Sequence, residues 1–145
     1  MRMSTKGRYG LRIMLELAVK HGQGPVMVET ISSAQGISAN YIHLLAGSLK
    51  SAGLVRSVRG PRGGYMLARE PSIITALEVV VAAEGETLVE CLAVPSSCKQ
   101  SAACVTRELW GEVEEAMKNA LERHSLDDLA RKQQAMAGEA PMYYI

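Results

Sequence analysis

The sequence predicts a mainly α-helical fold with one small β-hairpin, an α+β chain that ends in a long amphipathic helix. Three observations point there. Apolar residues recur at intervals of three and four over 11–19, 42–49 and 109–121, the spacing that gathers them on one helix face. Two brief strand-like runs, "LVRSV" and "YMLAR", flank "RGPRGG", a turn of glycine and proline. The length of 145 residues, 48% hydrophobic and 21% charged, suits one domain, or a small domain with an appended element, and argues against wholesale disorder. Aromatics make up only 4%, with no Phe, so aliphatic residues and the eight Met must fill the core.

Each element follows from local signals. In "STKGRYGLRIMLELAVKHG", Ser4 is placed to cap a first helix and Gly22 lies just past its end. "GQGP" reads as a loop and "VETISSAQG" as a short helix stopped by Gly36. Ser38 then opens "SANYIHLLAGSLKSAG", with Ile42, Leu45, Ala46 and Leu49 on one face and Gly53 as the stop. After the hairpin, Thr75 and Glu78 in "TALE" match a capping box at the head of another helix. Residues 84–104 show no period and read as a loop. "RELWGEVEEAMKNALERH" carries the longest helical signal, and "SLDDLARKQQ" a short final helix capped by Ser125. The expected layout is residues 1–83 as one domain, 84–104 as a cysteine loop, 105–134 as a long and a short helix, and 135–145 as a tail, extended or poorly ordered.

Two short helices across a tight turn, followed at once by a basic hairpin, form a winged helix-turn-helix arrangement. Charge agrees with it. Residues 1–69 hold ten Lys/Arg against two acids (+8), and residues 70–145 hold six against thirteen (−7), beneath a net charge of +1. A basic half points to a polyanion. The second helix of the pair would enter the major groove with Ser38, Asn40, Tyr41 and His43 at its start. Asn40 suits an adenine edge, and Ser38 can equally be an N-cap. The hairpin turn, Arg59, Gly60, Pro61, Arg62 and Gly63, suits a minor groove or flanking phosphates. Lys50 and the start of the first helix, with Arg2, Ser4, Lys6, Arg8 and Tyr9, would add backbone contacts. One such unit reaches a short segment only. The stripe Leu109, Val113, Ala116, Met117, Ala120 and Leu121 offers a dimer interface that would double it.

All three cysteines, Cys91, Cys98 and Cys104, fall in one stretch. "MRMSTKGRYG" has no apolar segment of a signal peptide, and no apolar run reaches the roughly 20 residues that span a bilayer. The expectation is a cytoplasmic chain with no membrane partner, where clustered thiols bind metal or sense redox. Their C-x6-C-x5-C spacing is not that of structural zinc. With no C-x-x-C pair, and His21, His43 and His124 far apart, no thiol redox enzyme or metal-delivery protein is well supported.

"STKGRYGLRIML", "GISANYIHLLAGSLKSAGLVRSVRGPRGGYML" and the late "CVTRELW" closely resemble the IscR/NsrR/CymR family of bacterial winged-helix transcription regulators, from Arg2 to about Gln134. The resemblance implies a homodimer on palindromic promoter DNA, with an iron–sulfur cluster, 2Fe-2S or 4Fe-4S, on the three cysteines. Thiolates are the ligands such iron prefers. One departure stands out. Where the IscR branch has a ligating histidine three residues after the last cysteine, this chain has Arg107, which stays protonated and cannot coordinate. The fourth ligand is left to Glu90, Glu108, the partner's Glu16 or a small exogenous molecule. A cluster-free regulator of the CymR kind, controlled by a protein partner, is the alternative.

Overall fold

A computed structural model describes residues 1–139. The order is α1 (Thr5–Val19), α2 (Val28–Gln35), α3 (Ala39–Ser51), β1 (Val55–Val58), β2 (Gly64–Leu67), a 3-10 turn at Pro71–Ile73 and α4 (Ala76–Glu84). Then come α5 (Glu90–Ala93), 3-10 turns at Pro95–Ser97 and Ser101–Ala103, α6 (Val105–Glu122) and α7 (Leu126–Glu139).

The capping residues act as their chemistry requires. Ser4 Oγ accepts from Lys6 N at 3.1 Å, Ser38 Oγ from Tyr41 N at 3.3 Å, and Thr75 with Glu78 completes a reciprocal box at the start of α4. Gly36 ends α2 in the left-handed region (φ 64°), which lets the chain turn straight into α3. Glu78 also meets Arg69 at 2.5 Å. Burial works against its charge, but the Thr75 N–H and the Arg69 guanidinium outweigh it and hold the carboxyl below its usual range.

The core is aliphatic. Ile13, Met14 and Leu17 of α1 meet Ile31 of α2 and the Ile42/Leu45/Leu49 face of α3, while Leu54 and Leu67 at the base of the hairpin close one side. Ile74 and Val79 bring in α4. The last helix returns to this core. Ala76 N donates to His124 O at 2.8 Å and Leu126 N to Ile74 O at 2.9 Å, so Leu126 and Ala130 are buried with α1. Ser125 and Asp128 cap α7 reciprocally, at 3.0 and 3.1 Å.

Two features differ from the sequence expectation. Within 84–104, residues 90–103 are not a plain loop but a chain of helical turns, each too short to show a period. The final helix runs past Gln134 to Glu139, so the first part of the expected tail is helical. Residues 140–145 lie outside the described residues. No described helix is long and apolar enough to cross a membrane.

α6 stands apart from the core. None of its residues is buried within the chain; Leu109 and Trp110 are 50% and 40% exposed. Trp110, Val113 and Met117 line an open apolar cavity of about 360 Å³ with Leu88 and Val89.

Because Leu126 fixes the returning helix, Leu126→Ala should cost about 2–5 kcal/mol. Urea unfolding followed by circular dichroism reads this directly; a midpoint equal to that of the unaltered chain would mean that α7 docks without it.

Candidate nucleic-acid interface and cysteine segment

The hairpin is held at a set angle to the helices by a close backbone approach. Val26 and Tyr65 exchange both backbone bonds, at 2.8 and 2.9 Å, which adds a third short strand position to β1 and β2. Gly64 makes this possible: a Cβ there would collide with the Val26 carbonyl, so no other residue fits without moving the strand. β1 and β2 pair antiparallel, with Ser57 opposite Tyr65. Both of those residues reach α3. The Tyr65 hydroxyl lies 2.7 Å from His43 Nδ1, and Lys50 Nζ donates to Ser57 Oγ at 3.0 Å. His43 and Lys50, seven residues apart on one helix face, thus grip a cross-strand pair.

Around this unit the structure leaves Asn40 and His43 exposed on α3, and Arg59, Gly60, Pro61 and Arg62 exposed on the hairpin turn. Gly63 is half-buried, and its N–H closes the turn on Gly60 O at 3.0 Å. A concave channel of about 420 Å³ separates hairpin from helices, lined among others by Met27, Glu29, His43, Arg59 and Pro61.

The other expected contacts are partly engaged within the chain. Tyr41 is half-buried, its ring edge-on to Tyr9 at 5.9 Å and its hydroxyl 3.0 Å from Thr5 Oγ1. Arg8 and Arg12 stack over the Tyr9 ring at 5.7 and 5.3 Å, which concentrates positive charge beside the start of α3. Arg12 also binds Gln35 at the end of α2. Ser4, besides capping α1, donates to Glu84, which also accepts from Gly7 N at 2.9 Å. Lys6 is exposed nearby. Arg2 is not brought to α3; it lines the groove against α6 with Leu88 and Met117. Thr5, Arg12 and Tyr65 escaped the sequence reading. Their roles are tertiary, and only the Y in "RGGYML" hinted that an aromatic sits at the base of the hairpin.

The cysteines occupy the turns between α4 and α6. Cys91 on α5 and Cys104 just before α6 are half-buried, and Cys98 is exposed. Cys104 Sγ lies 3.1 Å from Thr106 Oγ1. That hydroxyl, then the backbone N–H of Arg107, push the Cys104 thiol below its ordinary value. Arg107 Nε donates to the Cys91 carbonyl at 3.0 Å, tying the segment to α6. In kind, the donor set suits soft iron: three thiols on one exposed stretch. In placement, they are apart, because among the described residues no three His, Cys, Asp or Glu side chains converge closely enough to hold a metal ion.

A helix-turn-helix whose second helix is braced against a basic hairpin defines a winged-helix DNA-binding regulator. The chain belongs to the Rrf2 family, described as iron-dependent transcriptional regulators, which matches residues 3–132. It is 42% identical over 145 residues to the HTH-type transcriptional regulator CymR of Bacillus subtilis, covering 100% of both chains. It is 36% identical over 136 residues to the regulator IscR of Xenorhabdus nematophila, covering 94% of this chain and 83% of that one. Among solved structures, IscR of T. potens superposes with a TM-score of 0.77 at 34% identity, over 99% of this chain and 97% of the other. These relatives are transcriptional regulators, not enzymes.

Proposed function

We propose that the chain is a homodimeric repressor that grips palindromic promoter DNA in the cytoplasm, with an iron–sulfur cluster on Cys91, Cys98 and Cys104 governing its affinity. The observation that carries the DNA part is the braced unit of α3 and hairpin, whose free faces present Asn40, Arg59 and Arg62. Guanidiniums on a thin turn reach phosphates or a minor groove while α3 lies in the adjacent major groove. The dimer part rests on α6, an 18-residue helix with an apolar stripe and no buried residue. An exposed stripe of that size is an unusual surface for a lone domain.

The cluster reading is supported by the iron-dependent description of the family and by three soft donors on one segment. A bound cluster would supply iron chemistry responsive to oxygen, nitric oxide or iron supply. The chain's own part is geometric: the segment joins α4 to α6, so fixing it fixes the spacing of two recognition helices, and binding needs both in register. A second reading is favoured by Arg107, whose guanidinium is spent on the Cys91 carbonyl, and by the full-length likeness to CymR. In it the thiols carry no cluster and a protein partner controls the dimer.

Three measurements test these readings, and the second decides between them. Binding to promoter duplexes should fall steeply with salt. Arg59→Ala should weaken it by about three- to tenfold while flattening the slope by roughly one ion; unchanged affinity would remove the hairpin from the interface. Anaerobic reconstitution should give visible charge-transfer absorption and iron, both lost in Cys98→Ser with the dimer intact. A colourless, iron-free wild type would favour the cluster-free reading. Val113→Asp should yield monomers by analytical ultracentrifugation, and dimers persisting at low micromolar concentration would relocate the interface.

A further inference from the structure

α3 has two faces. Ile42, Leu45, Ala46 and Leu49 fill the core, which leaves Asn40, His43, Leu44 and Gly47, again at helical spacing, turned to solvent. Leu44 is 62% exposed on that face. At Gly47 an added Cβ would meet nothing within 4 Å, so a ligand can come close to the helix backbone beside Leu44. A lone exposed leucine carries no meaning. Its neighbour supplies one.

His43 Nδ1 is engaged by the Tyr65 hydroxyl at 2.7 Å, and the two rings meet edge-on at 5.8 Å and 64°. Tyr65 is itself immobilised through both backbone bonds to Val26. Burial raises its phenol above the ordinary value, so the hydroxyl keeps its proton. When the imidazole is neutral and the phenol donates into Nδ1, the ring proton sits on Nε2. When the imidazole is charged, Nδ1–H donates to the phenol oxygen and Nε2 is protonated as before. In both of these forms the nitrogen left for a ligand is a donor; in the other neutral tautomer Nδ1–H donates to the phenol oxygen and Nε2 is an acceptor. With Tyr65 donating, the exposed face of α3 carries a donor beside a bare aliphatic side chain.

We propose that Leu44 and the Tyr65-held His43 form the sequence-reading pair of this protein: Leu44 seats against a thymine C5-methyl, and His43 Nε2–H donates to a purine N7 close by in the same major groove. The thymine methyl is the one apolar group on a major-groove edge, and purine N7 is an acceptor exposed there. Tyr65 acts as a positioning residue, since it touches His43 and not the base. A phosphate oxygen would accept the same proton, but it would carry no sequence preference. The proposal rests on the DNA-binding reading above and specifies what that reading recognises.

The test starts from a randomised duplex pool, selected with the full wild-type chain and with Leu44→Ala and Tyr65→Phe. The selected wild-type duplex is then remade with deoxyuridine at each thymine in turn and with 7-deazapurines at each purine. Wild type should lose about fourfold in affinity at one deoxyuridine position per half-site, the worth of one buried methyl. Leu44→Ala should lose nothing there. Wild type should also be weakened at one 7-deazapurine position, and Tyr65→Phe should be indifferent to that substitution and select a relaxed base at it. Wild-type indifference to every deoxyuridine, or equal sensitivity in Leu44→Ala, would overturn the Leu44 assignment. Tyr65→Phe binding more weakly to all duplexes with selection unchanged would place His43 on a phosphate and overturn the reader. A wild-type chain that selects no duplex at all would instead remove the DNA-binding reading and the proposal with it.

Discussion

The approach of the Gly64 backbone to that of Val26 is the constraint from which the exposed basic surface follows. Without a side chain at 64, Tyr65 can exchange both of its backbone bonds with Val26. The hairpin is then anchored just ahead of α2 and at its own base, where Leu54 and Leu67 are buried. From that anchored strand, Tyr65 reaches His43 and its cross-strand neighbour Ser57 receives Lys50. Hairpin and second helix are thereby one body, and a ligand that meets both does not have to order one relative to the other first. Preorganisation of this kind saves the entropy that a free hairpin would lose on binding.

The chain divides its labour along the charge boundary. The basic half supplies nearly all of the aliphatic core, joined by α4 and by Leu126 and Ala130 of α7. The acidic half contributes α6, whose apolar side chains find only partial cover at home. The packed core of the first part and the uncovered stripe of the second therefore draw on different residues. The arginines over Tyr9 show how the basic half keeps its charges close without mutual burial: each guanidinium lies on the π face of one ring, and Arg12 spends its hydrogen bonds on Gln35.

How much of this was legible depended on the range of the interactions. The buried face of α3 could be read because Ile42, Leu45, Ala46 and Leu49 recur at helical spacing, and the structure buries all four. The caps at Ser4, Ser38, Thr75 and Ser125 were local chemistry, and each forms. The turns at 90–103 were missed because three or four residues cannot display a helical period. The end of α7 was misjudged because Ala135, Met136 and Ala137 favour helix as readily as a tail. At the interface, the sequence offers Ser38 and Tyr41 as candidates for DNA, yet Tyr41 is also the link to Thr5 and Tyr9. No pattern within "SANYIH" announces a partner 36 residues away.

The two ends of α6 are not held alike. Its far end is stapled by backbone bonds at His124 and Leu126 into the head of α4, where side chains are packed solid. Its near end is tied to the short turns before it by Arg107 on the Cys91 carbonyl, and its middle by Glu114 on the Leu88 amide. The helix is in effect a boom on a fixed pivot, steadied by a guy rope strung with thiols. The thiols are thus strung along the loosely held end of the helix and not along the fixed one.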